Sequence, residues 1–440
     1  MTATGKDPRR SVLSLLLQGR ENGGYANLAV QGEEMTALPP RERAFATALF
    51  YGVTERRLTL EYYTGILTAR SPDALSAHTA ILIQMGLYQL LYMGGIPPHA
   101  AVYETVALAG NPGEAALVNA ALRRAVREPA ALVPPPRTRD LCRHLSIAYS
   151  IPRPTVKYFL GRLGEKECEA FLEACNRKPP LSLRVNTLRI GRREFLERLT
   201  AAGYEAHPDP LSAYGIELVG PAAPAELPGY AEGLFFVQDT ASQLEGAVLA
   251  PLPGEKILDL CACPGGKSFG AAIGMRDDGR VEARDLHASK LPLIRAGAER
   301  LGLTAVHTKE SDATQSDPAD AGTFDRVICD VPCSGLGVLA KKPDLRYRGF
   351  SGQEELIAVQ RRILGNAARA VRPGGVLVYS TCTLTQEENE EAVASFLSSR
   401  PDFSAEDFSV GGLASAGGML TLWPHIHHTD GFFLAKLRRI

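Results

Sequence analysis

No C-x-x-C pair occurs among the eight cysteines of the chain, Cys142, Cys168, Cys175, Cys261, Cys263, Cys329, Cys333 and Cys382. Their spacing argues against zinc ribbons and disulfide scaffolds and for a reducing compartment, so the cytoplasm is the expected location. No apolar run approaches the ~20 residues that a bilayer-spanning helix needs. A secretory signal is not expected either: Met1 to Arg10 is polar, and the apolar run Val12 to Leu17 is short and soon followed by Gln18, Arg20 and Glu21. Net charge is close to absent, −1 over 440 residues, so overall charge does not announce a nucleic-acid binder. The dinucleotide fingerprint G-x-G-x-x-G is also missing from the one glycine loop that looks functional.

With 45% hydrophobic and 22% charged residues, the chain reads as a soluble multidomain protein. Apolar residues at helical spacing recur in Val12 to Leu17, Phe45 to Val53, Leu58 to Leu67, Ile81 to Met93 and Ala115 to Val126, broken at Gly23, Gly24, Pro39, Pro40, Pro72, Pro97 and Pro98. This predicts an all-α bundle over residues 1–130. A proline-rich linker, Pro129 to Asp140, follows. Residues 140–245 mix helical and strand-like runs and predict a small α+β domain. It closes on Gly233 to Leu244, a strand followed by a helix capped by Asp239 or Thr240.

Over 246–440 short apolar runs alternate with helical patterns, which predicts an α/β Rossmann-like, mostly parallel sheet. Expected strands are 257–260, 280–285, 305–308, 326–330 and 375–380, with 432–437 as an antiparallel addition. The stretch Ile257 to Ser268, ILDLCACPGGKS, reads as a buried strand, a tight loop over Pro264, Gly265 and Gly266, and a helix starting near Lys267. Gly266, Lys267 and Ser268 fit the end of a phosphate-binding loop, but Cys261 stands where its first glycine belongs. What remains is an acid at a strand end before a proline-glycine turn, as in sheets that bind S-adenosylmethionine. Asp259, Asp285, Asp312 and Asp330 all fall at or just past strand ends, hence on one rim of the sheet. Asp285 is placed to meet ribose hydroxyls, and Asp312 to meet an adenine or cofactor amine.

Two cysteines share that rim. Cys333 follows the fourth strand in CDVPCSG and Cys382 follows the fifth in YSTCT. A methyltransferase acting on cytosine has a use for such thiols, because carbon 5 of the ring is a poor nucleophile. A thiolate adding to carbon 6 makes the ring an enamine whose carbon 5 attacks a sulfonium methyl. A carboxyl group at the N3 edge assists, and Asp330 is placed for that. Elimination afterwards expels the thiol, a step that a second cysteine can assist.

The segments DLCACPGGKS, Asp285, Asp312, DVPCSGLGVL with KKPDLRYR, YSTCTLTQEEN and DGFFLAKL together resemble the RNA cytosine-5 methyltransferases. The front part, with Arg41-Glu42-Arg43, QMGLYQLLYMGGIPPHAAVYETVALA and LVNAALRR, resembles the NusB-like RNA-binding fold. As a whole the chain is similar to bacterial 16S ribosomal RNA (cytosine-5) methyltransferases of the RsmB (Sun/Fmu) type. The resemblance implies that Cys382 is the nucleophile, Cys333 assists product release and Asp330 binds the base. It also implies that Cys261, Ala262, Cys263, Pro264, Gly265, Gly266, Lys267, Asp285, Asp312 and Asp330 line a site for S-adenosyl-L-methionine. The expected enzyme is a monomer that uses no metal and methylates RNA, most readily 16S rRNA.

Cys263 stands where the family usually has alanine, Tyr347 where it has tryptophan, and Arg284 before Asp285 is unusual for the second strand. His425, His427 and His428 lack partner ligands for a metal. Lys341, Lys342, Arg346 and Arg348, and the basic run from Arg153 to Arg198, offer RNA phosphate contacts or plain surface charge. Other readings are a methyltransferase for another RNA such as tRNA, a DNA cytosine methyltransferase with Cys333 as nucleophile, a small-molecule methyltransferase, and a non-enzymatic RNA-binding protein.

Overall fold

The computed structural model describes residues 7–22, 32–71 and 74–440; the breaks expected at Gly23, Gly24 and Pro72 lie outside them. The contacts divide the chain into two units, Met1–Arg177 with Leu339–Phe350, and Lys178–Val338 with Ser351–Ile440.

The first unit is helical. Pro40 and Pro98 open the helices Pro40–Glu55 and Pro98–Val106 as first-turn residues, where the missing N–H costs nothing. Helix Ala77–Tyr92 is the centre of the unit: Ile81, Leu82, Ile83, Met85 and Leu87 are all buried, so apolar residues face every side. Its N-terminus is capped by Ser76, whose hydroxyl accepts from the Thr79 N–H at 3.1 Å. Helices Pro8–Asn22, Arg57–Thr68 and Pro112–Arg127 surround it and share its core. Helices Leu141–Tyr149 and Arg153–Ala174 follow, the second broken at Gly164, whose φ of 77° no helix accommodates.

Segment Leu339–Phe350 is tied into this unit by Arg346, which is fully buried. Its guanidinium donates to Asn176 Oδ1 at 2.6 Å and to the carbonyls of Cys175, Tyr149, Glu55 and Leu339. Arg57 lies over the Tyr347 ring at 3.6 Å, and the Tyr347 hydroxyl donates to the Thr54 carbonyl at 2.9 Å. Arg346 is therefore an internal tie and not a phosphate contact. Only a planar fork reaches so many carbonyls, so Arg346→Lys as well as Arg346→Ala is expected to lower stability, the alanine variant by about 3 kcal/mol. Hydrogen exchange in helices Pro40–Glu55 and Leu141–Tyr149 checks this; unchanged protection would refute it.

The second unit holds two sheets. Strands β1 Leu181–Val185, β2 Ala206–Pro208, β3 Gly215–Leu218 and β4 Phe235–Val237 form an antiparallel sheet in the order β2-β3-β1-β4. Helix Arg192–Ala201 packs on it through Phe195 and Leu199, with Phe195 and Phe235 stacked at 5.3 Å. The larger sheet contains β5 Lys256–Asp259, β6 Arg280–Asp285, β7 Val306–Glu310, β8 Phe324–Asp330 and β9 Val371–Thr381, all parallel. Beyond the short ribbon of β11 Ser409–Val410 and β12 Leu413–Ala414, the antiparallel strands β10 Phe403–Ala405, β13 Met419–Leu422 and β14 Phe432–Arg439 complete one edge. The order is β10-β14-β9-β8-β5-β6-β7, with β13 paired to β14.

Helices cover both faces of this sheet, and the cores divide by strand alternation. Ile257, Ile328, Val376, Val378 and Leu434 lie in one cluster; Leu258, Val327, Cys329, Leu377, Tyr379 and Phe433 lie in the other. Arg284, the residue that sat badly with a second strand, is buried and forked between Glu282 and Asp320. The chain runs outward from β5 through β6 to β7 and then returns to β8 beside β5. The carboxyl ends of β5 and β8 therefore flank a topological switch point, where open α/β sheets bind ligands.

Candidate active site

Four strand ends deliver the site. Asp259, Asp285, Asp330 and Thr381 are the last residues of β5, β6, β8 and β9. After β5 the chain turns through residues 261–265 into helix Gly266–Gly274. Gly265 has φ 109°, and a Cβ there would come within 2.4 Å of the Phe269 ring, so both conformation and packing demand glycine. The Asp312 loop joins the same rim, because the Ser311 N–H donates to the Asp285 carbonyl at 3.1 Å.

The carboxylates differ in what they have left to offer. Asp259 is fully buried, accepts from Ser268 Oγ at 2.7 Å, and is pushed up to about 6 by burial. It holds the loop and is closed to a ligand. Asp285 accepts from the His287 N–H through Oδ1 at 3.0 Å, while its Oδ2 accepts nothing among the described residues. That free oxygen at the end of the second strand fits a ribose hydroxyl. Asp312 is held below the usual carboxylate range by the hydroxyl and N–H of Thr314, and stays an anion suited to an amine.

Asp330 is fixed on both oxygens. Lys267 Nζ donates to Oδ2 at 2.7 Å and Ser380 Oγ to Oδ1 at 2.9 Å. Lys267 also lies 3.3 Å from Glu245, a buried acid of helix Thr240–Leu249. Burial works against the Lys267 charge, but Asp330 and Glu245 outweigh it and hold its pKa above the ordinary value. Burial pushes the Glu245 carboxyl up, while the Lys267 charge beside it pulls it back down. Nothing in the local pattern ASQLEGAVL marks Glu245; its lysine partner lies beyond the next strand.

Cys333 and Cys382 come together. In the parallel pair β8/β9, Asp330 lies opposite Ser380, so residues three and two positions further on leave the sheet side by side. Their sulfurs are 3.2 Å apart and unbonded. Gly337 ties the two loops by donating to the Cys382 carbonyl at 3.0 Å and accepting from the Gly431 N–H at 2.8 Å; a Cβ there would come within 2.0 Å of the Gly431 oxygen. The Cys333 thiol is pushed well up, first by its hydrogen bond with Cys382 and then by burial. Cys333 thus keeps its proton, and the two sulfurs share one contact in which either can be the donor. Burial also raises Cys261, Cys263, Cys329, Cys168 and Cys175, all of them inert by that measure.

Among the described residues no cluster of potential ligands could hold a metal, and no helix is long and apolar enough to cross a membrane. His427 Nδ1 accepts from the Trp423 N–H at 2.8 Å. From the basic run, Arg184 is turned inward onto Gln238 and the Gly270 carbonyl, and Arg192 holds the carbonyls of Asp209 and Ser212. These two arginines are structural.

Three family models match the chain: 16S rRNA methyltransferase RsmB/F over residues 246–438, the NusB family over 6–127, and a ferredoxin-like domain of RsmF/B-like methyltransferases over 155–224. The chain is 35% identical to the probable ribosomal RNA small subunit methyltransferase B of Synechocystis, across 98% of this chain and 99% of that one. It is 33% identical to the protein of the same description from Bacillus subtilis, across 98% of each. Its fold matches the crystal structure of PH0851 with a TM-score of 0.81 at 24% identity, covering 98% of both chains.

Proposed function

Because the chain belongs to the RsmB/F family of 16S rRNA methyltransferases, we propose that it transfers a methyl group from S-adenosyl-L-methionine to carbon 5 of a cytosine in 16S rRNA through a covalent adduct with Cys382. The observation that carries this reading is the thiol pair, 3.2 Å apart beyond the ends of β8 and β9, beside a carboxylate locked by Lys267 and Ser380. Neither O- nor N-methylation has a use for two thiols there.

The bound cofactor supplies an electrophilic sulfonium methyl; residues 261–267, Asp285 and Asp312 are assigned to hold it. Asp330 meets the N3 edge of the base and, because N3 is an acceptor, holds it in the protonated form, taking a proton that Lys267 Nζ supplies. Cys382 gives up its thiol proton to solvent and adds to carbon 6, forming an S–C bond and moving the double-bond electrons into the enamine, whose carbon 5 takes the methyl as the sulfonium–methyl bond breaks and a neutral thioether leaves. Loss of the carbon 5 proton to solvent then restores the double bond as the C–S bond breaks, and Cys333 returns a proton to the departing sulfur and regains one from solvent. The cytosine must leave its stack to reach this rim. Residues 1–130 are assigned to RNA binding, 140–245 to the small domain and 246–440 to catalysis.

Incubation with 16S rRNA fragments and S-adenosylmethionine, read by bisulfite sequencing, tests the product. A single protected cytosine is expected; methylation at another atom or only of tRNA would contradict the proposal. Asp285→Ala is expected to weaken cofactor binding about 10- to 100-fold, as loss of a hydrogen bond to a charged group does. Calorimetry showing unchanged affinity would remove Asp285 from the site.

A further inference from the structure

The sulfurs of Cys333 and Cys382 sit on two separate loops, and a carboxylate that touches neither of them joins those loops. Glu388 is fully buried. Its Oε2 accepts from the Ser334 N–H at 2.9 Å and from Gln360 Nε2 at 2.8 Å; its Oε1 accepts from Ser334 Oγ at 2.6 Å and Thr385 Oγ1 at 2.8 Å. Four donors saturate an ionised carboxylate, which compensates its burial without a cation. The donors come from both cysteine loops and from helix Gln353–Ala370.

The neighbouring contacts extend the same arrangement to each side of each cysteine. Before Cys333, the Pro332 carbonyl accepts from Gln360 Nε2 at 3.0 Å; after it, Ser334 is held by Glu388. Around Cys382, Asn389 accepts from Thr381 Oγ1 at 2.6 Å and donates to the Thr383 carbonyl at 3.0 Å. The Ser334 and Thr383 hydroxyls lie 2.7 Å apart. The Glu388 carbonyl accepts from the buried Tyr379 hydroxyl at 2.7 Å, fixing the turn to β9. The backbone on either side of both thiols is thus referred to one short segment, Glu388-Asn389.

We propose that Glu388 is a positioning residue that sets the distance between the two thiols and so couples addition by Cys382 to release by Cys333. The proposal rests on the roles given to the two cysteines above. With Glu388 removed, the loops keep their strand ends but lose their common anchor, and an error of about 1 Å at a reacting centre costs on the order of 100-fold in rate.

The spacing can be read without RNA or methyl transfer, by binding of phenylarsine oxide, which bridges two thiols only when they are close. Glu388→Ala is expected to lower arsenical affinity at this pair at least about 10-fold and to lower kcat, with KM for S-adenosylmethionine unchanged. In Glu388→Gln the amide oxygen still accepts from Ser334 and Gln360 while the two hydroxyls rotate to accept from its NH2, so most of both losses is expected to be rescued. If Glu388→Ala does not fold, Ser334→Ala is read in the same assay, with an expected loss of about 3- to 10-fold for the hydroxyl contacts to Glu388 and Thr383. Unchanged arsenical affinity in the folded variant, or a parallel loss of cofactor affinity that signals general collapse, would overturn the proposal. An active Cys382→Ala enzyme would sink the catalytic reading and leave this spacing result standing, so the two failures are distinguishable.

Discussion

Cys382→Ala is expected to abolish methyl transfer, by about three orders of magnitude or more, because it removes a nucleophile for which the site holds no substitute. The substitution deletes one sulfur from a partly buried position and leaves Thr381 and Thr383 on their Asn389 anchor. Folding and cofactor affinity are therefore expected to stay close to the parent values. Cys333 cannot take over: with the other sulfur gone, burial still holds it as a neutral thiol, and it leaves the sheet from a different strand. An active Cys382→Ala enzyme would mean that no adduct forms at this sulfur.

Cys333→Ala is expected to do the opposite to the lifetime of the complex. Addition and methyl transfer proceed, but the departing sulfur lacks the partner 3.2 Å away that returns its proton. The variant should accumulate a protein–RNA species that survives denaturing electrophoresis, with turnover reduced by about 100-fold or more, the range of a lost general acid or base. Absence of the adduct in Cys333→Ala, together with activity in Cys382→Ala, would exchange the two roles and give the assignment used by DNA cytosine methyltransferases.

The rim was legible in the sequence for a local reason. In a parallel sheet covered on both faces each strand is a short apolar run, and the residue that ends the run is the residue at the rim. Asp259, Asp285 and Asp330 could be placed from their own neighbours, and Cys333 and Cys382 from theirs. Contacts spanning many residues were not legible. Lys267 finds Asp330 sixty-three residues away, and nothing near Glu245 points to Lys267. Glu388 lies in the acidic run Glu387-Glu388-Asn389-Glu390-Glu391, which reads as a solvated face, yet its side chain is buried under four donors. The short strands β10 to β13 lack the length for a periodic signal. Arg346 reads as a phosphate contact or plain surface charge because charge suggests a surface; three of its carbonyl partners, on Glu55, Tyr149 and Cys175, lie 171 or more residues away, and the fourth, on Leu339, lies seven.

The central claim is a bond between one sulfur and one ring carbon. RNA containing 5-fluorocytidine tests it, since fluorine replaces the proton that must leave carbon 5 and the adduct cannot resolve. Peptide mapping of the trapped complex by mass spectrometry is expected to place the nucleotide on the peptide carrying Cys382. Attachment at Cys333, or a methylated RNA product with no trapped protein, would contradict the account.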